Sequence, residues 1–211
     1  MIQAHGPLPP PPPGTGAIIF DFDGTLVDSA ALNFRAMRYA LAWQNIPLSW
    51  PWFIAHAGLS DDDALQALAS STGLLPDRSA VEARRARYVE DHLGELTVHR
   101  CVAALAQALY GQAPLAVGTG NSAALVTRAL RALRLNEMFE AVVGREHVRR
   151  GKPAPDIFRA AAEALGTPAA AVHVYEDTDE GLAAAAAAGM RATDVRPYVR
   201  QPAPAGPGSP R

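Results

Sequence analysis

The chain has 211 residues, 49% hydrophobic and 19% charged, an ordinary globular balance with ample material for a buried core. Its formal net charge of −2 provides no global field to attract nucleic acid or an anionic membrane, and no apolar run approaches the ~20 residues that span a bilayer. A single cysteine, Cys101 in an apolar segment, excludes an internal disulfide and is expected to be a buried structural thiol in a reducing, cytoplasmic setting.

Residues 1–16 carry five consecutive prolines, Pro9 to Pro13, followed by Gly14-Thr15-Gly16. Prolines cannot donate backbone hydrogen bonds, so an extended, disordered leader is expected, with no secretory signal pattern in it. Ala17-Ile18-Ile19-Phe20 then forms a continuous apolar run, as a strand buried on both faces would. From 29 to 96 the pattern is helical only: Ala30 to Trp43, Asp61 to Ser70 and Ser79 to Leu93, with Asp28 expected to cap the first and Ser60 with Asp63 forming a weak capping box. Strand-like runs resume at Leu115–Val117, Ala141–Val143, Val172–Tyr175 and Ala192–Val195. Between them lie helices opening at Asn121-Ser122, at Pro155 and at Asp179, the last running through six alanines to Gly189. This alternation predicts an α/β fold, a doubly wound parallel sheet formed by 17–28 and 97–198, with residues 29–96 as a small all-helical cap inserted over the strand ends. Residues 199–211, rich in Pro, Ala and Gly, read as a disordered tail.

Four short segments at or near the ends of these strands carry chemistry: Asp21-Phe22-Asp23-Gly24-Thr25, Gly118-Thr119-Gly120-Asn121, Gly151-Lys152-Pro153 and Glu176-Asp177. In an open α/β sheet the carboxyl ends of the strands form the binding crevice, so folding can gather all four. Two carboxylates two residues apart suit phosphoryl transfer: one attacks phosphorus, and the other gives a proton to the leaving oxygen and takes one from water. These acids repel a phosphate dianion, so a hard cation is required, and an all-oxygen donor set selects Mg²⁺. Glu176 and Asp177 would complete its binding face. Lys152 can neutralise both the phosphate and Asp21, while Thr119 and the amides of Gly120 and Asn121 at a helix start would hold the transferring oxygens.

The DFDGT box, the threonine after the second strand, GKPAPD and EDTDEG resemble, in the correct order, the four motifs of the haloacid dehalogenase-like superfamily. The likeness runs from Ala17 to about Pro197 and is closest to the branch containing β-phosphoglucomutase and sugar-phosphate phosphatases. It implies that Asp21 is the nucleophile, Asp23 the general acid/base, and Thr119 and Lys152 phosphate ligands. It also implies Mg²⁺ held by Asp21, the Asp23 carbonyl and Asp177, with Glu176 in or near its shell. The expected function is a Mg²⁺-dependent phosphatase of a small sugar or polyol phosphate, working as a monomer through an aspartyl-phosphate. A β-phosphoglucomutase-like isomerase is the alternative. It is disfavoured because mutases of that type carry Val where this chain has Thr25, and a cap histidine and arginine where it has Asn33 and Asp61. Dehalogenase relatives do not need the second acid, Asp23. A phosphoacceptor signalling domain would carry its acceptor on the third strand, and no cap. Asn33 and Arg84 are the candidate substrate contacts from the cap. The three tryptophans are expected to pack, Asp61 to Asp63 to favour a helix dipole, and the histidines to be structural or solvated.

Overall fold

The computed structural model describes residues 6–56, 59 and 61–199. They divide into two compact units: the chain up to Asp28 together with the chain from Leu96 onward, and Ser29–Glu95. In chain order the elements are β1 (Ala17–Phe20) and β2 (Val27–Asp28); then α1 (Ala30–Ala42), α2 (Trp50–Ala55), α3 (Asp61–Thr72) and α4 (Arg78–Asp91) of the second unit. The chain returns through β3 (Thr97–Val98) and continues as α5 (Arg100–Leu109), β4 (Leu115–Gly118), α6 (Ala123–Ala132), β5 (Ala141–Val143), α7 (Asp156–Ala164), β6 (Val172–Glu176), α8 (Asp179–Ala188) and β7 (Arg191–Asp194).

The expected doubly wound α/β fold is present. Five strands pair in the order β5-β4-β1-β6-β7, every neighbour parallel. All residues of β1, β4 and β6 are buried, which is why they read as unbroken apolar runs rather than alternating ones. Ala17, Ile19, Ala116, Val172 and Val174 pack on one face against Ile157, Phe158 and Ala161 of α7 and Ala184, Ala185 and Ala188 of α8. On the opposite face Phe20 stacks on Tyr175 at 5.2 Å and meets Phe139 edge-on at 6.1 Å. Phe20 is in register with Val117 and Tyr175, so Asp21, Gly118 and Glu176 reach the carboxyl end of the sheet at one level.

Several local expectations need correction. The prolines of the leader do not leave it free. Leu8 is buried, Pro9 O accepts a 2.8 Å hydrogen bond from the Tyr175 hydroxyl, and the Gly16 amide donates to Ala171 O at 2.7 Å. A proline lacks only the donor; its carbonyl still accepts. Of the expected tail, Val199 is buried and the remainder lies outside the described residues, as does Ser60 of the expected capping box. Asp28 is not a helix cap, because it pairs with Thr97 in the antiparallel β2–β3 ribbon through which the chain leaves and re-enters the sheet unit. Ser29 holds the cap position of α1. Thr178, not Asp179, caps α8 and accepts from the Gly181 amide, while Gly189 ends that helix at φ +80°. Cys101 is only partly buried, its Sγ donating to Tyr198 O. Helix α5 was not anticipated.

The helical unit has a core of its own, formed by Phe34, Met37, Leu41, Ile46, Leu65 and Val81 with Trp50, Trp52 and Phe53 against them. Helix α2 was also missed, although Ser49 accepts from Trp52 N and a proline sits in its first turn, both start signals. Arg84 of α4 lies over the rings of Tyr39 at 4.9 Å and Trp43 at 5.7 Å. Trp43 is thus an exposed cation partner, and Trp50 and Trp52 are the packing residues expected.

Candidate active site

Tight closure of the turn after β1 brings its second acid back toward the strand ends. The Gly24 amide donates to Val27 O at 2.8 Å, and those of Leu26 and Val27 donate to Phe22 O at 3.0 Å. Gly24 adopts φ +76°, and a Cβ there would lie 2.0 Å from Asp177 Oδ2. Glycine is therefore required twice, for the left-handed backbone and for the space that the Asp177 carboxylate occupies.

Lys152 is the charged centre of the site. Its Nζ donates to Asp21 Oδ1 at 2.5 Å and to Glu176 Oε2 at 2.6 Å, with all three side chains nearly or fully removed from solvent. The Lys152–Pro153 peptide is cis. Glu176 is completely buried: its Oε1 accepts from the amides of Asp177 and Thr178 and from the Thr178 hydroxyl. Glu176 thereby ties the end of β6 to Lys152. Asp177 accepts from the Thr25 hydroxyl at 3.0 Å. Asp21, Glu176 and Asp177 each offer one carboxylate oxygen, all within 4.8 Å of one another.

Electrostatics follow from this crowding. Burial, then the Glu176 charge, raises the Asp21 carboxyl well above the usual range, with Lys152 opposing. Burial and Glu176 also push Asp177 up to about 7, against Thr25 and Lys152. Burial pulls Lys152 down, yet the charges of Asp21 and Glu176 and their hydrogen bonds win and hold it firmly protonated. Three carboxylates against one ammonium leave excess negative charge. The donor set is entirely oxygen. Both features fit a hard divalent cation.

Thr119 is fully buried at the end of β4, its hydroxyl accepting from the Asn121 amide at 3.1 Å. Asn121 Nδ2 donates to Asp23 Oδ2 at 2.5 Å. So Asp21, Lys152, Glu176 and Asp177 form one cluster, and Thr119, Asn121 and Asp23 form a second bonded chain at the same sheet edge. Gly120 is exposed. Asn33 and Arg84 belong to the helical unit, where Asn33 donates to Ser29 Oγ at 3.3 Å. Site residues that sequence reasoning missed are Thr25, Thr178, Gly181 and the Asn121 side chain. Thr25 and Thr178 stand inside the motifs, but nothing local marks their hydroxyls as partners of buried carboxylates.

Comparison with known proteins identifies the family. The family profile described as haloacid dehalogenase-like hydrolase matches residues 18–195. Fructose-1-phosphate phosphatase YqaB of Escherichia coli (strain K12) is 33% identical over 179 residues, spanning 85% of this chain and 95% of that protein. The β-phosphoglucomutase of Bacillus subtilis (strain 168) is 26% identical, over 85% of this chain and 82% of its own length. A solved structure titled as a predicted phosphoglycolate phosphatase from Haemophilus somnus 129pt shares the fold, with a TM-score of 0.79 at 22% identity over 88% of this chain and 87% of that one. The four motifs, their order at the strand ends and these matches lead to one conclusion: the chain belongs to the haloacid dehalogenase-like hydrolases, in the sugar-phosphate branch.

Proposed function

We propose that the protein is a Mg²⁺-dependent phosphatase of a small phosphorylated metabolite, a sugar or polyol phosphate, acting through an aspartyl-phosphate on Asp21. One observation carries the reading: a buried lysine bonded to both Asp21 and Glu176, with Asp177 beside them and Asp23 two residues on. The sugar-phosphate reading draws support from the fructose-1-phosphate phosphatase relative.

In this mechanism the Asp21 carboxylate attacks phosphorus while the ester P–O bond breaks, and Asp23 in its acid form gives its proton to the leaving oxygen. Water then attacks the aspartyl-phosphate, Asp23 takes its proton, and the bond from Asp21 to phosphorus breaks to release inorganic phosphate. Lys152 offsets the charge of Asp21 and of the incoming phosphate, and Glu176 keeps its ammonium in line. The Thr119 hydroxyl, oriented by the Asn121 amide, donates to a phosphate oxygen. Asp21, the Asp23 carbonyl and Asp177, with Glu176 adjoining, would hold Mg²⁺, whose contribution when bound is to neutralise the repulsion between these acids and the phosphate dianion. Among the described residues no helix is long and apolar enough to cross a membrane.

The test is phosphate release from a panel of sugar and polyol phosphates and 4-nitrophenyl phosphate, with Mg²⁺ or with a chelator. Release is expected only with the metal, and Asp21→Asn should be inactive while still binding substrate. Undiminished turnover by Asp21→Asn would remove the nucleophile assignment. A positional isomer of the substrate instead of free phosphate would identify a mutase.

A further inference from the structure

We infer that the Asn121 side chain is a positioning residue for proton transfer: its Nδ2–H fixes the Asp23 carboxyl group where the leaving oxygen departs and the water arrives. The inference rests on the phosphatase reading above and goes beyond the use of the Asn121 amide there.

Three observations carry it. The first is the contact itself, Asn121 Nδ2 to Asp23 Oδ2 at 2.5 Å, joining residues 98 apart in sequence. The second is the rigidity of the loop behind it. Asn121 O accepts from the Arg145 amide at 2.9 Å, the Asn121 amide donates to Thr119 Oγ1, and the Thr119 amide donates to Val143 O at 2.9 Å. Beyond it, the Ala123 amide donates to the Glu146 carboxylate at 2.8 Å. The third is the space that allows this bracing. A Cβ on Gly144 would lie 2.3 Å from Ala123 N and 2.7 Å from Asn121 O, so only glycine lets the turn after β5 sit against this loop. The backbone of Asn121 is therefore held from both sides while its side chain projects to Asp23.

Chemistry explains why an amide suits the task. A neutral N–H donor orients the carboxylate without adding charge. The group must first lose its proton to the ester oxygen and then recover one from water, and a fixed orientation serves both half-reactions.

A leaving group that needs no proton separates this role from a structural one. The comparison is kcat/KM for 4-nitrophenyl phosphate, whose phenolate departs unassisted, against the best alkyl phosphate of the panel, whose alkoxide does not. For Asn121→Ala, and for Asn121→Leu, which keeps the backbone contacts and a similar volume while removing the donor without adding charge, both values should fall. The alkyl-to-aryl ratio should fall by about 10- to 100-fold, part of the 10²–10⁴ that a positioned acid supplies, with Tm within a degree or two of the parent. An unchanged ratio, with losses equal on both substrates or absent, overturns the inference. If the parent protein releases phosphate from neither substrate, the phosphatase reading fails and this inference goes with it. If the parent is active and the variants keep the ratio, the phosphatase reading stands and only the role of Asn121 is lost.

Discussion

Gly181 lies in the first turn of α8, where helix propensity alone would favour alanine by about 1 kcal/mol. The site reverses that preference. A Cβ at this position would fall 2.0 Å from Glu176 Cδ and within 2.4 Å of both carboxylate oxygens. Glu176 cannot retreat, because Oε1 is engaged by two amides and a hydroxyl, and Oε2 by Lys152. Gly181→Ala should therefore destabilise the protein by about 1–3 kcal/mol, as overpacking does, and should depress phosphate release by moving Lys152 off Asp21. Urea unfolding beside an activity assay checks both; a more stable, fully active variant would mean that Glu176 is free to move. Sequence reasoning named both Glu176 and Lys152 but could not tell that the first is bonded to the second, because that relation is a contact between side chains 24 residues apart.

Among the elements, the proline leader departs furthest from expectation. It lies on the sheet face that carries Phe20 and Tyr175. Tyr175 is fully buried there and donates to Pro9 O, Leu8 is buried, and Thr15 receives a bond from Arg191 of β7. A proline-rich segment is already restricted before it docks, so it loses little further entropy on binding. Tyr175 is also next to Glu176, and its carbonyl receives the Asp21 amide at 2.9 Å. The leader thus supports the residue linking two site acids. Deleting residues 1–13 should lower Tm by several degrees, and Tyr175→Phe, which removes only the hydroxyl, should cost about 1 kcal/mol. Differential scanning calorimetry of both variants is the measurement. An unchanged Tm on deletion would show that the leader contributes nothing to the core.

For the molecule as a whole, pH dependence of stability has one clear contributor in the sheet. Burial, with the Arg191 charge adding to it, lowers His173 from its ordinary 6.5 to about 4. Below pH 6.5 the unfolded chain takes up a proton that the folded chain refuses until about pH 4, so stability is present above that window and is lost as pH falls through it. Full expression would amount to up to about 3 kcal/mol. Chemical denaturation at pH 7 and pH 4.5 should show a smaller loss for His173→Gln than for the parent; equal losses would mean that His173 does not titrate between the two states.

The amino-acid sequence by itself determined the class of chemistry, the alternating architecture and the identity of the acids, lysine and threonine at the strand ends. Those are local properties: an apolar run closing on a carboxylate is visible within ten residues, and phosphoryl transfer needs particular functional groups whatever their distance along the chain. Tertiary structure alone decided how those groups are joined. Asn121 meets Asp23 across 98 residues, Thr25 meets Asp177 across 152, and Tyr175 meets Pro9 across 166. No periodicity records such pairings, because they are set by strand register and by which backbone happens to have room, as at Gly24, Gly144 and Gly181.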